Sequence, residues 1–177
     1  MRRVTVRPAL LLAALLLAGA ACADEPRRSA TDGPGEAPGA CEPVERPPEQ
    51  SGGHLLGEAT PPVPYSSTPP TSGWHASGNP ARGVHGAGDP LSEPEQVTIL
   101  ELGGVVLSWN GLDGDARERL ESYAREHEDT VASTPYGALA PGEVAMTAWG
   151  VLQRCDGVDL EAVDAFVAEH AGGGPDH

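Results

Sequence analysis

Four side chains in this chain have the chemistry to hold a metal ion together: His54, His75, His85 and Glu101. Imidazole nitrogens with one carboxylate suit zinc or copper(II). The histidines stand 21 and 10 residues apart, so no local ligand motif joins them and only the fold can assemble them. The competing reading is that histidines in a Gly/Pro-rich stretch bond to backbone or face water. Glu101 follows an apolar run that begins at Val97. A carboxylate buried there must be paired, hydrogen-bonded or neutral. Arg82 or His75 is its expected partner, which would tie the long loop to the sheet; a general base is the catalytic alternative.

Other reaction chemistry finds little footing. Ser66, Ser67 and Ser72 lie in a proline-rich stretch without a G-x-S-x-G elbow. Neither a G-x-G-x-x-G dinucleotide loop nor a P-loop is present. Pro61-Pro62 and Pro69-Pro70 read as stiffeners of a packed loop, with polyproline recognition as the other use. Trp74, Trp109 and Trp149 read as core or half-buried edges.

The N-terminus has the layout of an export leader. Arg2, Arg3 and Arg7 precede an unbroken apolar run from Ala9 to Ala18, then Gly19, Ala20, Ala21 and Cys22. The run is shorter than the roughly 20 residues a permanent span needs. Two processing routes fit: acylation of Cys22 as a lipoprotein, or cleavage after Ala23 through the small-x-small pattern Ala21-Cys22-Ala23. Either route leaves Cys41 and Cys155 in an oxidising compartment, where a Cys41–Cys155 disulfide is expected. The alternative is two buried free thiols.

The chain carries 26 acidic residues against 11 basic ones, all arginine, for a net charge of −15. Removing residues 1–22 takes three arginines, leaving 26 acids against eight arginines, a net −18. With no basic patch, nucleic acid is not an expected partner, and neither is electrostatic binding to anionic lipid. The absence of lysine beside abundant Ala, Gly, Pro and Arg points to a GC-rich source.

The elements that must position these residues begin after a proline-rich tether over 23–50 and a turn-rich stretch over 51–95. Val97 to Leu102 alternates as a strand, Gly103-Gly104 interrupts it, and Val105 to Trp109 resumes it. Asp115 and Glu118 have capping-box spacing and open a helix with Ala116, Leu120, Tyr123 and His127 on one face. Thr130–Thr134 and Glu143–Trp149 read as strands, the second with Val144, Met146 and Ala148 facing one way. Asp159 starts a second helix with Leu160, Val163, Phe166 and Val167 as its apolar stripe. No internal repeat is apparent. The expected fold is α+β, a sheet of three to four strands packed by two helices, over 51–172 with a short tail at 173–177.

PPTSGWH, GVH, VTILELGGVVLSW, VAMTAWG, the C-terminal helix and the closing Gly-Pro together resemble the bacterial domain-of-unknown-function family 3105 over roughly residues 50–176. The resemblance implies an exported or membrane-anchored protein, common among actinobacteria, and brings no established activity. The family's V-H-x-L-E-H-G-G segment appears here with Thr98 and Leu102 in place of both histidines, while Glu101 and the glycines remain. His85 stands where the family has tyrosine.

These features describe an acidic, exported domain, lipid-anchored at Cys22 or else secreted. Its expected role is a non-enzymatic cell-envelope module that binds a protein partner or a small ligand, without a cofactor. The second reading is an envelope protein that binds copper or zinc through His54, His75, His85 and Glu101. A hydrolase ranks third.

Overall fold

The computed structural model describes residues 39–57 and 59–175. The leader, Cys22 and the first part of the tether lie outside the described residues. Among the described residues, eight strands and three helices follow one another. They are β1 (Ala40–Cys41), β2 (His54–Leu55), β3 (His75–Ala76), β4 (Gly83–Val84), α1 (Glu93–Glu101), β5 (Val105–Trp109), α2 (Gly114–Glu126), β6 (Val131–Pro135), β7 (Glu143–Ala148), β8 (Val151–Asp156) and α3 (Leu160–His170). The class is α+β as expected, but the main sheet is larger than three to four strands. Six strands lie in the order β1-β8-β7-β5-β6-β4, and β2 and β3 form a separate two-stranded ribbon.

Strand β5 is the centre of the sheet. It pairs in parallel with β6, reached through α2, and antiparallel with β7. All five of its residues are buried, as a strand covered on both faces requires. Val105, Leu107 and Trp109 pack with Ala116, Leu120 and Ala124 of α2 and with Val163 and Phe166 of α3. Val106 points the other way, into a cluster with Ile99, Leu100 and Leu91. The sheet is thus covered by α2 and α3 on one face and by α1 on the other.

Helix α1 corrects the strand expected over 97–102. Glu95 accepts from the Ser92 backbone N–H at 2.8 Å, Pro94 occupies the first turn, and Glu93 and Glu95 supply acid at the helix start. These start signals precede a core of five consecutive buried residues, Gln96 to Leu100. A helix buried on all sides shows no polar stripe, so its apolar run reads equally well as a strand. Gly103-Gly104 is the turn from α1 into β5 and not an interruption within one strand. The expected helix at Ala116 begins one cap earlier: Asp113 accepts from Ala116 N at 2.8 Å. The start of α3 is as read, with Asp159 accepting from Glu161 and Ala162. Strand β8 has no counterpart among the expected elements. Gln153 and Arg154 break its apolar pattern because they hold the N-terminal segment. Gln153 Nε2 donates to the Glu42 carbonyl at 2.9 Å, and Arg154 Nη1 meets Glu45 Oε1 at 2.8 Å.

That segment, expected to be tether, runs along the β8 edge: Ala40 and Cys41 pair with Asp156 and Cys155, and Glu45 bridges Leu152. Cys41 and Cys155 are direct cross-strand partners joined by a disulfide across 114 residues. The bond agrees with the expected pairing and places the folded domain in an oxidising, extracytoplasmic setting. Among the described residues no helix is long and apolar enough to cross a membrane.

In the chain-entropy account, closing a loop of this length stabilises the fold by about 4–5 kcal/mol. Replacing both cysteines, Cys41→Ser with Cys155→Ser, is expected to lower unfolding free energy by about 2–5 kcal/mol in urea titration. A loss below about 1 kcal/mol would mean that the N-terminal strap is not held by this bond.

Candidate metal centre

Two short chain segments approach closely to build the site. Ser51-Gly52-Gly53-His54 and Ser72-Gly73-Trp74-His75 are two copies of Ser-Gly-x-His, a repeat too short to stand out among so many glycines. They run in parallel, and β2 pairs with β3 so that His54 and His75 are direct partners. Side chains of directly paired residues share a face, and the two rings meet edge to face with centroids 4.5 Å apart. The approach depends on glycine: a Cβ on Gly52 would lie 2.1 Å from the Gly73 carbonyl carbon. Gly73 itself has φ +114°, a backbone state that side chains disfavour.

The second copy is anchored from several directions. Ser72 Oγ accepts from Gln50 N at 2.8 Å, Thr71 O accepts from Gly150 N at 2.9 Å, and Tyr65 donates its hydroxyl to Trp74 O at 2.6 Å. Helix α1 joins through Thr98, whose hydroxyl reaches Ala76 O at 2.9 Å. Glu101 lies three residues further on, on the same face of the helix, and its Oε2 comes to 3.2 Å from His75 Nε2.

The donors of His54, His75 and Glu101 lie within 4.8 Å of one another. His75 Nδ1 sits 3.0 Å from the Gly73 carbonyl oxygen. A carbonyl only accepts, so Nδ1 carries the hydrogen, and in the neutral ring Nε2 presents its lone pair. That lone pair faces a carboxylate oxygen, which is also an acceptor. The contact is within ion-pair distance but lacks hydrogen-bond geometry, and Nε2 is buried without a hydrogen-bond partner among the described residues. A cation between the two acceptors, proton or metal, resolves the conflict. Backbone carbonyls that orient the far nitrogen of a ligating histidine are a recurrent feature of metal sites. Bonds of about 2.0–2.2 Å require the three donors to draw in, and the exposed His54 is the ring with room to move.

His85 is not part of the cluster. It follows β4 at the far edge of the main sheet, its backbone N–H bonded to Ser133 O and its ring Nε2 2.9 Å from Ala81 O. The four-residue ligand set therefore contracts to His54, His75 and Glu101. Of the two partners expected for Glu101, His75 is the one in place; Arg82 donates instead to the Leu102 carbonyl at the end of α1, 3.3 Å away. The loop is tied to a helix and not to a strand. Thr98, Glu101 and Leu102 share one helical face, so the two positions where the resemblance leads one to expect histidine flank Glu101. A cavity of about 260 Å³ adjoins the cluster, lined by His75 and Glu101 together with Gln50, Ser51, Trp149 and Pro175. Gln50 and Trp149 carried no signal in the sequence that would have assigned them to this place.

The family described as "Protein of unknown function (DUF3105)" matches residues 58–177. The chain belongs to this family. The match takes in His75, Thr98 and Glu101, while His54 lies just before it. No curated protein and no solved structure matches the chain.

The chain's three tyrosines, one of which holds Trp74 beside the site, keep their protons to unusually high pH. Burial, then the Glu93 carboxylate, pushes Tyr65 up; burial, then a hydrogen bond to Glu93, does the same for Tyr136. Tyr123 is pushed up to about 12 by burial and by Asp164. The folded chain thus holds phenolic protons that the unfolded chain loses near pH 10, so stability is full below pH 10 and falls as pH rises above it. Ultraviolet titration is expected to show tyrosinate only well above pH 10, together with loss of structure. Three ordinary titrations near pH 10 in folded protein would contradict this.

Proposed function

We propose that this protein is a membrane-tethered, extracytoplasmic domain that binds zinc or copper(II) through His54, His75 and Glu101. One observation carries the reading: a buried imidazole, its Nδ1–H held by the Gly73 carbonyl, turns Nε2 toward a carboxylate with a second histidine alongside. Two nitrogens and one oxygen match the borderline preferences of zinc and copper(II), whereas calcium and magnesium favour all-oxygen shells. The acidic surface favours cation approach. This is the second of the readings drawn from the sequence, a copper- or zinc-binding envelope protein, with its ligand set reduced to three residues. Acylation at Cys22 supplies the tether in this reading.

Tag-free protein is expected to bind one equivalent of copper(II) or zinc in calorimetry. Metal at 100 times its Kd should raise unfolding free energy by about 2.7 kcal/mol. His75→Ala and Glu101→Gln are each expected to abolish stoichiometric binding, and His85→Ala to leave it unchanged. Equal binding by His75→Ala and the parent protein would reject the site. Mass spectrometry of the mature protein is expected to find an acylated Cys22; a mature chain that starts after Ala23 would leave the domain secreted.

A further inference from the structure

His54, His75 and Glu101 leave a four-coordinate ion one ligand short. We infer that Glu49 supplies the fourth when metal binds, with one carboxylate oxygen on the ion and the other accepting from Trp149 Nε1. The inference rests on the metal reading above and adds a further ligand to it.

Position and availability single out this side chain. Glu49 lines the cavity of about 260 Å³ together with His75, Glu101 and Trp149. Its Oε1 lies against Gly150, where an added Cβ would come within 3.1 Å of it, and Gly150 directly follows Trp149. The backbone beside Glu49 is fixed, because Gln50 N donates to Ser72 Oγ at 2.8 Å. Turning inward therefore takes side-chain torsions alone, and Gln50 keeps its own bond to the Pro64 carbonyl. Glu45, four residues earlier, is committed to Arg154. Glu49 is exposed and enters no ion pair among the described residues.

Hydrogen bonding and charge both call for a carboxylate here. An indole N–H only donates, and Trp149 Nε1 is buried without a partner among the described residues. A buried donor left unmet costs free energy. A carboxylate has lone pairs enough for the ion and for this N–H at once. A divalent ion beside Glu101 alone keeps one positive charge in a partly buried place, and a second carboxylate cancels it. Water in the fourth position would leave that charge standing.

Four protein ligands close the coordination sphere, as structural zinc sites do, whereas catalytic sites keep a position open. The ion is then held and not offered to a substrate. It also joins the N-terminal strap, of which Glu49 is the continuation, to α1 and to the β2–β3 ribbon.

The test uses the full chain loaded with cobalt(II), whose visible spectrum reports the coordination of a zinc-type site, or with zinc itself. Added azide is expected to leave the cobalt spectrum of the parent protein unchanged. Glu49→Gln is expected to lower cobalt and zinc affinity by more than the roughly tenfold that loss of an outer partner costs. It should also make the spectrum azide-sensitive and leave unfolding of the metal-free protein as it was. Glu42→Gln removes the same charge from the same strap and is expected to match the parent in affinity and azide response. Zinc is expected to shift the Trp149 indole N–H resonance downfield in the parent and not in Glu49→Gln. An azide-sensitive parent, parent-like affinity in Glu49→Gln, equal losses in the two glutamine variants, or an unmoved indole resonance overturns this inference and leaves the three-ligand site standing. A parent protein that binds neither cobalt nor zinc nor copper removes both.

Discussion

The middle of helix α1, Gln96 to Leu100, is enclosed on every side, and each polar group there must find a partner inside the protein. That demand organises the half of the molecule in front of the sheet. Gln96 donates to the Leu91 carbonyl at 3.1 Å and accepts from Ser108 of β5 at 3.3 Å. Leu91 N in turn reaches Thr134 of β6 at 2.9 Å. Thr98 meets its own Pro94 carbonyl and Ala76 of β3, each at 2.9 Å. One helix thereby fastens two central strands and the long Gly/Pro-rich loop to each other.

The candidate centre is a by-product of that fastening. Ala76 is held by Thr98, so His75 is held beside it. Glu101 stands one turn beyond Thr98 and has no choice but to face the same histidine. The Ser-Gly-x-His copies supply the rest, because Gly52 and Gly73 let two backbones come close enough for their histidines to share a face. Three elements distant in sequence converge without any of them carrying a recognisable ligand spacing.

The N-terminal strap solves a different problem. Strand β8 would otherwise be an open sheet edge, a template for unwanted pairing. Residues 40–45 cover it through two paired residues, the Glu45–Leu152 bridge and the Arg154–Glu45 ion pair, and the disulfide closes the arrangement. An ion pair this exposed contributes little by itself; the covalent link holds the strap in register. In a chain whose excess of acids repels itself, that link also limits how far the N-terminal segment can stray.

The sequence by itself determined the features that depend on neighbours in the chain. Asp159 marked the start of α3, alternation marked β7 and its Val144, Met146 and Ala148 face, and cysteine count with compartment paired Cys41 with Cys155. Tertiary structure decided whether Val97–Leu102 is helix or strand, whether Gln153 and Arg154 belong to a strand, and which histidine joins Glu101. The division has a physical cause. Caps and amphipathic periods are short-range signals, written in residues a few positions apart. A helix buried all round has no period to show, and His54 and His75 meet only through a backbone pairing that closes a 21-residue loop. His85, nearer to Glu101 in the sequence than His75 is, was drawn to the opposite edge of the sheet by the β4–β6 ladder. Proximity along the chain could not have revealed that.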